Sequence, residues 1–127
     1  MNGPTAAYKY TGATPGADST ERTLFDTPTA FGGTRGAVAL AGLERVQVFV
    51  PVSHVSTLKF YWSSDGGTTY VEDTDYAQSI PAPSSKTYDF ALGPYAAMDF
   101  KITHVNGGSA QTTWAPRITL SKRDLAA

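Results

Sequence analysis

The chain holds two histidines, His54 and His104, and no cysteine. Nucleophilic catalysis needs a Ser, Thr or Cys held beside a base, and neither histidine lies in a nucleophile motif such as G-x-S-x-G. His54 sits in a Ser53-His54-Val55-Ser56 loop and His104 leads into a turn, so both read as solvent-exposed loop residues. One acidic cluster, Glu72-Asp73-Thr74-Asp75, offers hard oxygen ligands of the kind calcium takes. It lacks the glycine and terminal glutamate of an EF-hand loop and reads as a solvated acidic loop. Paired carboxylates for glycoside hydrolysis need a set separation across a cleft, for which so small a domain leaves little room. Gly32-Gly33-Thr34-Arg35-Gly36 is glycine-rich but lacks the Lys-Ser/Thr ending of a phosphate-binding loop, and reads as a hinge. No nucleophile, acid–base pair, cofactor site or metal site emerges, so the chain is expected not to be an enzyme.

Aromatic residues on outward positions are more informative. Tyr61 opposes the core face of its strand, Phe49 opposes the valine face of its own, and Tyr70, Tyr76 and Tyr95 lie in or near turns. Exposed aromatics serve as protein contacts or as sugar platforms. An interface within or between subunits is the first reading here, ordinary tyrosine exposure the second and glycan binding the third.

The elements that would position these residues are short strands. A chain of 127 residues fits one domain, long enough to bury a core without disulfides or metals. Ten basic and 11 acidic residues leave a net charge of -1, without the basic excess that neutralises phosphates, so nucleic acid is not an expected partner. Lys122-Arg123 stands beside Asp124 and reads as a solvated tail. No segment approaches the length of a membrane span, and the first residues lack the charged and apolar regions of a signal peptide. Synthesis in a cytoplasm, without a membrane partner, is the expectation. Charged residues are only 17%, while Gly, Thr, Ser and Pro are abundant, a balance suited to strands and tight turns.

From residue 37 onward, apolar residues alternate. Val46, Val48, Val50 and Val52 share one face with Arg45 and Gln47 between them, and Pro51 marks an edge or an end. Leu58, Phe60 and Trp62 alternate with Lys59 and Tyr61 before Asp65-Gly66-Gly67, a hairpin signal, after which Thr68-Thr69-Tyr70-Val71 returns. Residues 72–85 read as a polar loop. Tyr88, Phe90 and Leu92 form a further strand face, as do Met98, Phe100 and Ile102. Asn106-Gly107-Gly108 reads as a second hairpin turn, leading to strands through Gln111–Trp114 and Arg117–Leu120. Phe60, Trp62, Tyr88, Phe90, Phe100 and Trp114 are the expected core. The fold class is all-β, an antiparallel β-sandwich or jelly roll.

Residues 1–36 differ. They are rich in Gly, Thr, Pro and Ala, with Tyr8, Tyr10, Leu24, Phe25 and Phe31 as scattered anchors. Such a segment buries little apolar surface against its ordering entropy. It is expected to be an extended, flexible N-terminal arm, with short strands near Tyr8 and Leu24 as an alternative, while 37–127 forms the sandwich.

The run Leu58-Lys59-Phe60-Tyr61-Trp62-Ser63-Ser64-Asp65-Gly66-Gly67-Thr68-Thr69-Tyr70 resembles small β-sandwich virion proteins of tailed bacteriophages. Leu92-Gly93-Pro94-Tyr95, Phe100-Lys101-Ile102, Asn106-Gly107-Gly108 and Gln111-Thr112-Thr113-Trp114 extend the likeness over roughly residues 43–121. Among such proteins, head decoration (cement) proteins fit best. The resemblance implies a virion location on the outer capsid surface, the major capsid protein as partner, and a homo-oligomer, most often a trimer. It also implies an arm that reaches across capsid subunits; by side-chain type, Tyr8, Tyr10, Leu24, Phe25 and Phe31 are the arm's expected contacts, and Tyr61 on the sandwich is a further expected capsid or subunit contact. The function implied is cohesion: bridging subunits adds buried area and slows their separation. A carbohydrate-binding or adhesion module, and a neck, tail or baseplate component, are the alternatives.

Overall fold

A computed structural model of the protein describes residues 2–28, 43–93 and 98–123. Among these, nine strands form two antiparallel sheets packed as a sandwich. They are β1 (Asn2–Lys9), β2 (Glu21–Asp26), β3 (Leu43–Val52), β4 (Ser56–Ser63), β5 (Val71–Glu72), β6 (Gln78–Ile80), β7 (Ser84–Ala91), β8 (Asp99–Asn106) and β9 (Arg117–Arg123). A 3-10 turn, Thr74–Tyr76, lies between β5 and β6. One sheet has the order β1-β9-β3-β7 and the other β2-β8-β4-β5, with β6 sharing the outer edge of β4.

The pairs β1·β9, β2·β8, β3·β7 and β4·β6 nest inside one another. The chain is thus doubled back like one long hairpin and rolled, so that β3·β9 and β4·β8 close the two sheets. This wrapped order is that of a jelly roll.

Alternation in sequence becomes burial in space, because successive strand side chains point to opposite faces. Val46, Val48, Val50 and Val52 of β3 are buried, as are Leu58, Phe60 and Trp62 of β4 and Phe100 and Ile102 of β8. Phe60 is the centre: its ring lies 4.8 Å from Trp62, 5.2 Å from Phe90 and 5.2 Å from Phe100. Trp114 is only partly buried and packs against this core.

Several local expectations differ from the structure. β3 is an inner strand and not an edge, but it does end near Pro51, at Val52; the proline falls beyond the last pair with β9, Phe49↔Arg117, where a missing N–H is tolerated. Residues 72–85 contain β6 and the 3-10 turn. Asn106-Gly107-Gly108 does not join two paired strands, since β8 and β9 lie in different sheets and residues 111–114 contribute only an isolated Val52↔Trp114 bridge. A turn signal reports that the chain reverses, not which sheet the next strand joins. Lys122 and Arg123 belong to β9, where they pair with Gly3 and Asn2, and are not a loose tail.

The N-terminal segment is also built in. β1 forms an edge of the first sheet and β2 an edge of the second. The hinge expected at 32–36 lies outside the described residues, as does Tyr95.

Candidate functional site

Of the residues expected to make contacts, Tyr61 lies on the outer face of β4, half-buried. Its hydroxyl donates to the Glu21 carboxylate from β2, and Thr103 Oγ1 of β8 donates to the same oxygen at 2.6 Å. The Lys101 ammonium sits 4.7 Å from the centre of the Tyr61 ring and 4.7 Å from that of Tyr70. One carboxylate, two hydroxyls and a lysine thereby tie β2, β8 and β4 together across their outer face. Burial would raise the Glu21 carboxyl, but the Thr103 and Tyr61 hydrogen bonds and the Lys59 and Lys101 charges hold it below its ordinary value. Burial, reinforced by the bond to Glu21, pushes the Tyr61 phenol up to about 12. Burial and the charges of Asp26, Asp99 and Asp65 do the same to Tyr70, also to about 12. Both phenols stay protonated near neutral pH and are not bases there, and that of Tyr61 serves as a donor. Lys101 occupies a face of the Tyr61 ring, which therefore is not a bare sugar platform.

The remaining contact residues are placed differently. Leu24 and Phe25 are fully buried in the chain's own core. Strict alternation would turn one of them outward, but a bulge between Thr23 and Phe25 inserts an extra residue, and both enter the interior. Their side chains are not surface contacts for a second subunit in this fold. Tyr8 is half-buried and stacks on Phe25 at 5.8 Å; Tyr10 is half-buried with its ring 5.8 Å from Trp114, edge-on. Phe31 lies outside the described residues.

Among the polar residues, His104 departs from its expected place, whereas His54 lies in the connection between β3 and β4 and Thr74 and Asp75 of the acidic segment are exposed. His104 is not in an exposed loop: it is a core-facing residue of β8, fully buried. His54 is half-buried, and its backbone N–H donates to Gln111 Oε1 at 3.0 Å. In the acidic loop, Asp73 caps the 3-10 turn through Asp75 N–H at 3.1 Å and accepts from the Trp62 indole at 2.8 Å. Among the described residues, no three His, Asp or Glu side chains converge on a point where a metal ion would bind. No described helix is long and apolar enough to cross a membrane.

The cavity in this part of the surface is an open groove of about 470 Å³ beside β5. Trp62, Val71, Tyr76 and Met98 supply an apolar lining, and Glu72, Asp73, Thr74 and Asp75 a polar one. Tyr76 is held there by stacking on Phe90 at 5.6 Å and by donating its hydroxyl to Ala91 O at 2.6 Å. Chemically, carboxylates beside aromatic rings accept hydrogen bonds from hydroxyls or pair with a cation.

Sequence reasoning passed over the pair Asn106 and Gln111, which organises one end of the sandwich. Gln111 Oε1 accepts from Ser53 N–H at 2.9 Å and from His54 N–H, while its Nε2 donates to His54 O at 3.0 Å and Asn106 Oδ1 at 2.8 Å. Asn106 Nδ2 in turn donates to Gly16 O at 2.7 Å and lies 3.0 Å from Asp18 O. A buried amide can satisfy several backbone groups at once, but the sequence signal at Asn106-Gly107 is that of an ordinary turn.

No family model matches the chain, and neither a curated protein nor a solved structure matches it. The class that the geometry defines is a small all-β protein of two packed antiparallel sheets.

Proposed function

We propose that the protein is a non-enzymatic structural component of a tailed-phage particle, which binds the outer capsid surface and bridges capsid subunits. The observation that carries this reading is the position of β1. It is an eight-residue edge strand whose pairing partner is β9, joined to the rest of the chain through residues 10–20, most of them exposed. Such a strand can add to the sheet edge of a neighbour as readily as to its own, because backbone hydrogen bonds do not depend on which chain supplies them. The resemblance of residues 43–121 to virion sandwich proteins supports the same reading. A capsid under internal pressure fails at subunit contacts, and an exchanged strand would add area there. A self-associating chain, with a trimer suited to a three-fold position, and the major capsid protein as partner follow from this reading.

The test is co-sedimentation with purified phage heads, using the full chain and a variant lacking residues 1–9. The deletion spares β2, so Leu24 and Phe25 stay in the core. Retention of the full chain and loss of the shortened one is the expected result. Equal sedimentation of both, or of neither, overturns the proposal.

The groove beside β5 favours a second reading, a carbohydrate-binding or adhesion module. Its aromatic lining and its carboxylates match the apolar faces and hydroxyls of a sugar. Saturable retention on a glycan array, abolished in Asp75→Asn, would support it.

A further inference from the structure

Among the described residues, the end of the sandwich around Asn106 contains buried polar groups without partners. His104 is fully buried, and neither of its ring nitrogens has a hydrogen-bond partner among the described residues. The Trp114 ring packs against the imidazole at 4.6 Å, and its Nε1 is also unpartnered, as is Ser56 Oγ. By register, Ser56 lies opposite Asn106 and Leu58 opposite His104, so these groups share one end of the interior. Native proteins rarely leave buried polar groups unpaired, so each such group calls for a physical reason.

The charge nearest in effect to the imidazole is Arg22, its cross-strand partner on β2. Arg22 is itself bound to Asp18 at 3.0 Å. Leu58 faces the ring from β4 and Trp114 from the 107–116 connection, and neither carries a charge. Burial first, and the Arg22 charge second, lower the imidazole from 6.5 to about 4.

A strap covers this end. Residues 10–20 run from β1 to β2, and their ties converge on the surroundings of His104. Tyr10 N–H donates to Pro116 O at 2.9 Å, Gln111 N–H to Pro15 O at 3.0 Å, and Gly108 N–H to Asp18 O at 2.9 Å. Asn106 holds Gly16 and Asp18, and Arg22 holds the Asp18 carboxylate. Trp114 touches both the imidazole and Tyr10, so it links the buried ring to the strap.

We propose that this end is an acid-opened latch: proton uptake at His104 releases the strap, and with it β1, while the centres of the two sheets stay folded. An imidazolium needs water or a carboxylate, and the closed site gives it Leu58, an indole and an arginine. Lifting Trp114 together with Tyr10 and the strap brings the ring to water. Above pH 6.5 neither form holds the proton and closure is at its most favourable. Between 6.5 and about 4 only the opened form binds it, so opening rises about tenfold per pH unit. Below about 4 both forms are protonated and the rise stops. The latch stands whatever β1 does once released.

Amide hydrogen exchange of the full chain, followed by NMR from neutral pH down to 4 and corrected for intrinsic rates, tests the proposal. The reporters are Gly108 and Gln111, whose N–H groups donate to the strap; Val48 and Phe60 report on the sheets. The expected result is a tenfold-per-unit rise in opening at Gly108 and Gln111, flat opening at Val48 and Phe60, and no rise anywhere in His104→Phe. His104→Gln, which keeps a neutral polar side chain, is the second non-titrating variant should the first not fold. A flat response at the strap reporters, a parallel rise in the sheets, or a rise that persists in the variant overturns the latch.

Discussion

The two halves of β8 face different interiors. Phe100 and Ile102 point into an aromatic centre where Phe60, Trp62 and Phe90 meet ring against ring. His104 and Asn106, next along the same face, point into a polar end closed by Gln111, Trp114 and the strap. The strand geometry is continuous across both halves; the kind of interaction is not. At the centre, each ring gains from area removed from water and from tilted contacts of about 0.5–1.5 kcal/mol per pair, and no single partner is indispensable. At the polar end, Asn106 and Gln111 are held by specific hydrogen bonds, and removing one leaves others unmet, while His104 has none among the described residues. An apolar interior tolerates small movements of its members, whereas a polar one is held in one arrangement or opens.

Substitutions at the two places sharpen this contrast. Phe60→Ala should have the largest effect. Its ring also meets Tyr76 at 5.1 Å, so the change empties the centre of the core and should destabilise the chain by about 3–5 kcal/mol. Urea unfolding at neutral pH measures it, and a loss well under that range would mean that the sandwich collapses onto the cavity. Gln111→Ala comes next, at about 1–3 kcal/mol, because the N–H groups of Ser53 and His54 and the Asn106 carbonyl lose their partner. The same change should raise exchange at the strap reporters more than in the sheets; uniform exchange would show the polar end to be no separate unit. Arg45→Ala should have the smallest effect. Arg45 pairs with Asp89 across β3 and β7, but its side chain is 48% exposed, and such pairs contribute little. An unchanged unfolding midpoint is expected, and a clear shift would place unexpected strength in an exposed pair.

Much of the centre was readable beforehand. The even-numbered valines of β3 and the Leu58-Phe60-Trp62 run alternate cleanly, and period-2 alternation maps directly onto the two faces of a strand. Phe60, Trp62, Tyr88, Phe90 and Phe100 were all expected inside and are buried. The polar end was not readable, because His104, Asn106 and Gln111 carry the residue types of loops. β1 and β2 were legible only as the alternative to a flexible arm, as short strands near Tyr8 and Leu24: β1 carries Gly3, Pro4 and Thr5, and the bulge in β2 that buries both Leu24 and Phe25 breaks the alternation by which a strand is recognised. β5 and β6, at two and three residues, are too short to show any period. Of the expected contact residues, Tyr61 was placed on the outer face of its strand, but its neighbours Glu21 and Thr103 lie 40 and 82 residues away from their partners in the chain and gave no local sign.

By itself, the sequence determined the all-β class, the inward face of the longer strands and the aromatic centre, since these depend on the alternation of neighbouring side chains. Tertiary structure alone decided the nested strand order, the place of β1 at the edge of one sheet and of β2 at the edge of the other, and the burial of His104 beneath the strap. Those features arise from contacts between residues far apart in the chain. Backbone hydrogen bonds between strands carry no residue code that says which strand pairs with which, so the pairing is settled only when both faces find their cover.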